Sequence, residues 1–340
     1  MPKICKVTIN GETVPARPGD LLLDAALMNG IELPHDCRSG YCGTCQVRVV
    51  NGRCFGGATE NTNVVHACQT RVISDLHIVA ERTPHVTENS ATVADVIDLA
   101  PDVLEVCIEA PPGPTPLPGQ YLSVRFRGYP PRYYSPTRPL DWPSDPNLIR
   151  FHVRRLAKGR VSSALGRKIK RGHRVKLTGP FGAAYFRPQQ CERFVLVSSG
   201  TGFAPIWAIA EAAIKENPRR HLVLIVGARD LDSLYMIPAL CRLARFPHVI
   251  IIPTVLRRQG VTPAVRFGQP TEYLPALSPN DLIYVAGGPA VVNATAQIAQ
   301  SGGASYFADP FLPAVAKSNG ETFLARSARW IASGLQSSRH

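Results

Sequence analysis

Four cysteines near the N-terminus restrict the fold of this chain more than any other feature. Three of them follow the spacing C-x4-C-x2-C and the fourth comes later; they are Cys37, Cys42, Cys45 and Cys68. This spacing is typical of a plant-type loop that holds a [2Fe–2S] cluster. Gly40 and Gly43 suit such a loop, because glycine tolerates positive φ and leaves amide N–H groups free to point at sulfur. The pattern predicts a small domain built around a cluster.

Other interpretations of these cysteines fit the spacing less well. Structural zinc usually takes paired C-x2-C units, and here only Cys42 and Cys45 form such a pair. A Rieske centre needs two histidines, and the loop contains none. Cys54 lies between the third and fourth ligands, but it follows an Asn-Gly turn soon after Cys45, so we prefer Cys68 as the fourth ligand. Free core thiols are expected at the remaining cysteines.

Length, charge and cysteine usage set further limits. A chain of 340 residues should contain two to three domains. The net charge of +13 comes from outside residues 1–83, where acids and bases nearly cancel. The basic residues are scattered, which argues against nucleic acid and favours anionic cofactors and an acidic protein partner. Nine cysteines without a disulfide framework predict a reducing, cytoplasmic location. The first residues alternate between apolar and polar side chains, which predicts a strand rather than a signal peptide. No apolar run is long enough to predict a transmembrane segment.

Residues 1–83 read as an α+β domain. Ile4–Ile9 predicts a strand, Asn10-Gly11-Glu12 a hairpin turn, and Leu21–Asn29 a helix closed by Gly30. With the later strands, this is a β-grasp order, and the segment resembles a plant-type ferredoxin domain. The resemblance implies that the four cysteines named above are the cluster ligands. It also implies a low-potential cluster that hands on single electrons.

Residues 84–90 are polar and predict a linker, and short, regularly spaced strands in residues 91–189 predict an antiparallel β-barrel. In the barrel, Arg132 offers a guanidinium to a phosphate and Tyr134 a ring to a flat heterocycle. Gly159 to Ser163 can open a short helix whose N–H groups bind a pyrophosphate.

Together these motifs resemble the flavin domain of the ferredoxin–NADP reductase superfamily. The resemblance implies that Arg132 binds the flavin phosphate, that Tyr134 stacks on the isoalloxazine and that Ser135 hydrogen-bonds near its N5. It places Gly159, Val161 and Ser162 at the pyrophosphate, which implies FAD. Taken alone, each of these motifs more often reflects ordinary surface and core packing than a cofactor site.

Residues 190–313 alternate strand and helix, which predicts a parallel α/β sheet. Gly200, Thr201 and Gly202 separate a buried strand from a helix, where backbone can approach phosphate. Alone, such a segment is often only a tight turn. The block resembles the pyridine-nucleotide domain of the same superfamily. That resemblance implies that these three residues and Gly287 bind NAD(P), and that Arg229 lies at the adenosine-side ribose or phosphate.

The chain departs from the superfamily at two positions. Ala286 stands where the superfamily usually has a cysteine at the nicotinamide, and Ser199 replaces a common glycine. The first change predicts a weaker or slower nicotinamide site. The segment Phe307 to Phe311 resembles the terminal motif in which an aromatic ring covers the flavin, and Phe311 is the candidate. Residues 314–340 form a C-terminal tail in which a short amphipathic helix is predicted.

The order ferredoxin, flavin barrel, nucleotide domain resembles the reductase component of multicomponent aromatic-ring oxygenases of the naphthalene and benzoate dioxygenase type. It implies an oxidoreductase that passes electrons from NADH, or NADPH, through FAD and a [2Fe–2S] cluster to an oxygenase component or a small ferredoxin. No side chain is then required as acid or base. The alternatives are a reductase of a diiron monooxygenase or deoxysugar dehydratase, and a redox carrier or sensor without NAD(P)H turnover, which Ala286 motivates.

Overall fold

The computed structural model describes residues 4–35, 38, 40, 43–59, 63–80, 86–111, 115–140, 148–188, 191, 193–257 and 263–311. The tail 314–340 and its predicted helix lie outside these residues. The described strands form three separate sheets of five, seven and six strands. Each sheet has its own buried apolar cluster, and the six-stranded sheet has one on each face. The predicted multidomain fold, with an α+β domain, an antiparallel barrel and a parallel α/β domain, is confirmed.

The N-terminal domain is a mixed sheet in the order β2-β1-β5-β3-β4 that packs on one helix. Its elements are β1 (Cys5–Ile9), β2 (Glu12–Ala16), α1 (Leu22–Met28), β3 (Gln46–Phe55), β4 (Val64–His66) and β5 (Arg71–Ala80). The predicted hairpin turn lies at Asn10 and Gly11, which have φ of 51° and 95°. Two positive φ values in a two-residue turn match the right-handed twist of the strands.

The second sheet is antiparallel in the order β10-β11-β7-β6-β12-β8-β9. Its strands are β6 (Thr87–Ala100), β7 (Val103–Glu109), β8 (Tyr121–Phe126), β9 (Arg132–Tyr134), β10 (Pro136–Thr137), β11 (Leu148–Arg154) and β12 (Arg174–Phe181). Only Ser135 separates the two edge strands β9 and β10 in sequence, so the sheet curls until its edges meet. The Tyr134 ring then lies 6.0 Å from the Phe151 ring of β11.

The start of β6 corrects the predicted linker. Residues 87–90 were expected within the 84–90 linker, but they pair with β12 from Gly179 to Lys176. Their polar side chains suit this position, because the strand segment alternates between half-buried and exposed positions. The ladder partner lies almost ninety residues away, so no local signal marks this strand.

The third sheet is parallel in the order β16-β15-β14-β13-β17-β18. Its elements are β13 (Arg193–Ser199), α2 (Phe203–Glu216), β14 (His221–Ala228), α3 (Ile237–Leu243), β15 (Val249–Val255), β16 (Arg266–Phe267), β17 (Asp281–Gly287), α4 (Pro289–Ser301) and β18 (Ser305–Pro310). Helices α2 and α3 pack on one face and α4 on the other. The chain runs outward from β13 in both directions, so a crevice opens between the carboxyl ends of β13 and β17.

The second and third domains share a buried boundary. Val103 and Leu140 from the barrel belong to the apolar cluster that covers the α2 face of the parallel sheet. The indole N–H of Trp207 in α2 donates to the Pro139 carbonyl at 3.2 Å. Among the described residues, no helix combines the length and apolarity needed to cross a membrane.

Candidate functional site

Two of the four predicted cluster ligands lie on adjoining segments of the described structure. Cys45 and Cys68 are both buried, and the Ala67 N–H donates to the Cys45 carbonyl at 2.9 Å. Cys37 and Cys42 lie outside the described residues. Gly43 has a φ of 74°, a conformation that side chains rarely adopt. Two buried thiols, on segments that this backbone hydrogen bond joins, fit the thiolate donor set of a [2Fe–2S] cluster.

Gln69 connects the segment that contains Cys68 to Arg38, which lies between Cys37 and Cys42 in sequence. Its Nε2 donates to the carbonyl of Arg38 at 2.8 Å and to that of Cys68 at 2.9 Å, and it lies 3.9 Å from Cys68 Sγ. By contrast, Cys54 lies in β3 opposite Val72 and packs against the domain core. Burial raises the pKa of the Cys54 thiol. These positions favour Cys68 over Cys54 as the fourth ligand.

The cysteine loop also touches the nucleotide domain. A Cβ placed on Gly43 would lie 3.5 Å from the carbonyl oxygen of Tyr306 in β18. Strand β18 ends at the segment that carries Phe311. The loop therefore approaches the strand that leads to Phe311.

The predicted flavin residues lie on one edge of the barrel. Arg132 and Tyr134 belong to β9, which pairs with β8, and Ser135 follows directly and is buried. Burial raises the pKa of Tyr134 to about 12, so its phenol stays neutral. Arg132 is half-buried, and its Nη1 donates to the Pro131 carbonyl at 2.8 Å. A guanidinium, an aromatic ring and a hydroxyl in this order fit a flavin nucleotide.

The predicted pyrophosphate segment forms hydrogen-bonded turns rather than the expected short helix. The Ser163 N–H and hydroxyl both bond the Gly159 carbonyl, at 3.1 and 2.6 Å. Ser162 Oγ accepts from the Leu156 N–H at 3.1 Å, and a Cβ on Gly159 would overlap this oxygen. Val161 is buried in the barrel core and anchors the turn. Successive backbone N–H groups of a turn can bind a phosphate, as those at the N-terminus of a helix can.

The glycines of the nucleotide domain meet where β13 and β17 end. Gly200, Thr201 and Gly202 form a single 3-10 turn between β13 and α2. A Cβ on Gly202 would overlap the Ala286 carbonyl, and one on Gly287 would overlap Ser199. Ser199 Oγ accepts from the Gly288 N–H at 2.9 Å. The serine therefore ties the two strand ends together, and their backbone borders the crevice where a dinucleotide phosphate binds.

The C-terminal motif joins the flavin edge to this crevice. The Phe311 N–H donates to the Gly287 carbonyl at 2.8 Å. Two residues earlier, Asp309 Oδ2 accepts from the Ser135 hydroxyl at 3.2 Å. Asp309 pairs in register with Ala286. Sequence reasoning selected Phe311 from this motif and missed Asp309, although the acid stands in the same five residues. The structure thus brings Ser135, Asp309, Phe311 and Gly287 together.

Arg229 occupies a mixed ionic site beyond the end of β14. Its guanidinium lies 3.3 Å from Asp102 of the barrel and 3.2 Å from the adjacent Asp230. A hydrogen bond from Ser233 lowers the pKa of Asp230 below its usual value, with Arg229 contributing to the shift. Sequence reasoning found the arginine but neither carboxylate. The two carboxylates offset the positive charge of Arg229.

A buried polar network joins the barrel to the nucleotide domain, and sequence reasoning missed it. His152 Nδ1 lies 3.1 Å from the Tyr235 hydroxyl, and its Nε2 lies 3.7 Å from Glu105. Arg150 Nη1 lies 2.5 Å from Glu105. Burial lowers the pKa of His152. Burial alone would raise the pKa of Glu105, but the His152 hydrogen bond and the Arg150 charge lower it overall.

Comparison with protein-family models divides the chain in the same order. Residues 7–72 match the 2Fe-2S iron-sulfur cluster binding domain. Residues 95–186 match the oxidoreductase FAD-binding domain, and residues 196–297 match the oxidoreductase NAD-binding domain. The domains that match therefore account for all three cofactors: a [2Fe–2S] cluster, FAD and NADH.

Two relatives align with most of this chain and with most of their own length. The reductase component of the naphthalene 1,2-dioxygenase system of Pseudomonas putida is 27% identical, over 89% of this chain and 97% of its own length. The reductase subunit of an aromatic O-demethylase from Amycolatopsis sp. is 31% identical, over 78% of this chain and 84% of its own.

Two solved structures have the same fold across nearly the whole chain. The ferredoxin reductase in carbazole 1,9a-dioxygenase has a TM-score of 0.62 and 26% identity, and covers 91% of this chain and 99% of its own. A cytochrome P450 reductase from Amycolatopsis has a TM-score of 0.64 and 28% identity, and the match covers 92% of this chain and 100% of that one. The chain belongs to the ferredoxin–NADP reductase superfamily, as an iron–sulfur flavoprotein reductase of the type that serves aromatic oxygenase systems.

Proposed function

We propose that this protein oxidises NADH at the junction of Ser135, Asp309, Phe311 and Gly287 and passes the electrons through the cysteine loop to an oxygenase component that hydroxylates an aromatic compound. The observation that carries the proposal is the hydrogen bond of 3.2 Å from Ser135 to Asp309. It joins the flavin edge of the barrel to the strand that borders the nucleotide crevice. When bound, FAD supplies the conversion of a two-electron donor into single electrons.

The side chains at this junction are assigned to bind, orient and shield the flavin. Arg132 and the turn from Gly159 to Ser162 are assigned to the flavin phosphates, and Tyr134 to the isoalloxazine face. Ser135, held by Asp309, would hydrogen-bond near the flavin N5. Phe311 would shield the isoalloxazine face that Tyr134 leaves open. None of these groups acts as an acid or base.

At the nucleotide side, backbone groups rather than side chains are assigned to bind NADH. Gly200, Thr201 and Gly202 are assigned to the diphosphate at the N-terminus of α2, where N–H groups and the helix dipole favour anions. Gly287 and Ala286 border the nicotinamide. Ala286 cannot supply the sulfur contact that a cysteine would make, so nicotinamide positioning depends on backbone and on Ser199, which fixes Gly288 at 2.9 Å.

The acceptor we favour is a Rieske-type oxygenase or the small ferredoxin that serves one. Relatives named for naphthalene and terephthalate dioxygenases support this choice. Relatives named for phenol hydroxylation and for aromatic O-demethylation show that related chains serve other oxygenases. The described cysteines form no disulfide, which supports action in the reducing cytoplasm.

An anaerobic titration tests the proposal. Purified protein is titrated with NADH and then NADPH and followed by visible absorbance and low-temperature EPR. We expect flavin bleaching and a rhombic signal from the reduced cluster at low micromolar NADH, and rapid anaerobic reduction of cytochrome c. If only dithionite reduces the cluster, Ala286 has disabled the nicotinamide site. The protein is then a redox carrier or sensor rather than a reductase.

A further inference from the structure

The central strand of the N-terminal sheet leaves apolar side chains in solvent. Strand β5 lies between β1 and β3, and its alternate residues Val72, Leu76 and Ile78 are buried in the core. On its other face, Ile73 and Val79 are each 42% exposed. A central strand normally has both faces covered or a polar outer face. This outer face is instead partly apolar.

Strand β3 extends the same apolar surface. Phe55, its last residue, is 72% exposed and is the register partner of Arg71 on β5. Val50 on β3 is also exposed. Aromatic side chains are enriched in protein interfaces and depleted on free surfaces, because their large apolar area favours desolvation. We call this surface the outer face and define it by Val50, Phe55, Ile73 and Val79.

The outer face begins beside a cluster ligand. Arg71, the partner of Phe55, follows Cys68 by three residues, so the two Cα atoms lie within about 11 Å. The intervening segment is fixed, since Thr70 Oγ1 donates to the carbonyls of His66 at 2.9 Å and Gly56 at 3.3 Å. Gly56 follows Phe55 directly. A protein seated on this face is therefore close to the cluster.

The opposite approach to the cysteine loop is already occupied. Gly43 faces the Tyr306 carbonyl, and β18 leads from there to Phe311 and the flavin edge. Because the nucleotide domain occupies that side, a partner protein must approach the cluster from another surface. The outer face supplies an exposed surface next to Cys68 for this approach.

The charge of the outer face selects the partner. Arg48, Arg53 and Arg71 are exposed on the same two strands. Arg71 is held in place because its Nη1 donates to the Gly19 carbonyl at 2.7 Å. The carboxylate on the outward side of β5, Asp75, accepts from the Lys6 backbone N–H at 2.8 Å. Three arginines around apolar side chains favour a partner with an apolar centre and acidic rim.

We propose that the outer face, with Arg48, Arg53 and Arg71, is the surface on which an acidic electron-acceptor protein docks to receive electrons from the cluster. The proposal rests on the proposed function and adds the place and the chemistry of the partner contact. Electrostatic attraction would bring the acceptor to the arginines, and burial of Phe55 would hold it there.

The test compares electron transfer to acceptors of different charge. The double variant Phe55→Ser/Arg53→Glu is compared with wild type and with a matched control, Ile250→Ser/Arg245→Glu, which exchanges an exposed apolar and an exposed basic residue on the nucleotide domain. The acceptors are cytochrome b5 as the acidic protein, cytochrome c as the basic protein and benzoquinone as a small neutral molecule. Visible absorbance and EPR verify that flavin and cluster are present in each variant.

We expect the double variant to lose at least tenfold in kcat/KM for cytochrome b5 at low salt and to lose most of the salt dependence. Rates with benzoquinone should stay within twofold of wild type, and cytochrome c should be reduced as fast or faster. The control should match wild type with all three acceptors. Equal cytochrome b5 rates in the double variant and wild type would overturn the proposal, as would a wild-type rate that salt does not change.

Two other occupants of the outer face are tested in parallel. If deletion of residues 312–340 speeds cytochrome b5 reduction several-fold, the protein's own tail covers the face and the proposal fails. If sedimentation shows a dimer that the double variant dissociates, a second copy covers it and the proposal also fails. Prereducing the protein with dithionite before adding cytochrome b5 separates this test from the NADH-dependent step, whose failure would count only against the proposed function.

Discussion

At the scale of single residues, the contact between Ser135 and Asp309 carries the most chemistry. The two are separated by 174 positions in sequence and come from different domains. Ser135 is buried, so its hydroxyl depends on Asp309 for its orientation. A hydrogen bond to a charged group contributes about 1.5–3 kcal/mol. This one fixes a hydroxyl at the edge where flavin and nicotinamide are expected to meet.

Replacing Ser135 with alanine should slow flavin reduction without removing the flavin. If the hydrogen bond acts mainly at the hydride-transfer step, its loss corresponds to about 10- to 100-fold in rate. Stopped-flow absorbance with saturating NADH measures this rate, and the FAD content of the purified variant is the control. Asp309→Asn should have a smaller effect, since an amide oxygen can still accept the hydrogen bond. Wild-type flavin reduction in Ser135→Ala would refute the role assigned to this residue.

Asp230 should determine the preference for NADH. Its pKa is lowered by Ser233 and Arg229, so it is ionised at neutral pH, and with Asp102 it surrounds the Arg229 guanidinium. Arg257 lies 3.5 Å from the same Asp230 carboxylate, so two arginines and two carboxylates meet here. The carboxylates oppose a ribose 2′-phosphate that the arginines alone would attract, whereas a 2′-hydroxyl can donate to a carboxylate. We expect Asp230→Asn to raise kcat/KM for NADPH about tenfold, equivalent to about 1.4 kcal/mol, with a smaller change for NADH. An unchanged ratio of the two constants would show that this carboxylate does not discriminate.

At the scale of elements, strands β7 and β11 separate two environments. Leu104, Val106, Phe151 and Val153 face the barrel core, and the alternating polar residues face the nucleotide domain. Those polar residues are Glu105, Cys107, Arg150 and His152. Burial raises the pKa of Cys107 to about 12, so the thiol stays protonated. The boundary between the domains is therefore held by Glu105, Arg150 and a neutral histidine.

This boundary should weaken as pH falls through the range in which free histidine titrates. Burial lowers the pKa of His152 in the folded protein, so the unfolded chain binds a proton first and stability declines below about pH 6.5. The Glu105 carboxylate facing it titrates at lower pH, because its pKa is also lowered. We expect the drop in Tm between about pH 7.5 and 5.5 to be smaller in His152→Gln. A drop as steep as that of wild type would assign the pH dependence to other groups.

The hairpin turn at Asn10 and Gly11 has a local signal and was predicted correctly, whereas the strand at residues 87–90 forms only with a distant partner and was not predicted. Asn10 and Gly11 encode their hairpin in two residues, because few other residues adopt positive φ. Residues 87–90 have no such signal, since their strand exists only through pairing with β12. The same reason applies to the site: Arg132, Tyr134 and Ser135 are adjacent in sequence, whereas Asp309 and Asp102 reach their partners only in the folded chain.

At the scale of the whole molecule, the three domains are joined unequally. The barrel and nucleotide domain share an apolar cluster through Val103 and Leu140, and Arg229 pairs with Asp102 across the same boundary. The N-terminal domain has a separate apolar cluster formed only by residues 5–80. Its described approach to the nucleotide domain is that of Gly43 to Tyr306. The flavin and nucleotide domains thus form one unit, to which the cluster domain is attached.

A protein that lacks residues 1–85 should therefore fold and keep the first half of the reaction. All residues of the barrel and nucleotide clusters remain, so we expect cooperative unfolding and bound FAD. NADH-dependent reduction of benzoquinone should stay within about threefold of the full chain, because the Ser135–Asp309 junction is intact. Anaerobic reduction of cytochrome c should fall at least tenfold, since the cluster that delivers single electrons is gone. Flavin loss or aggregation of the shortened protein would show that the cluster domain is structural as well as redox-active, and full cytochrome c activity would show that electrons can leave without the cluster.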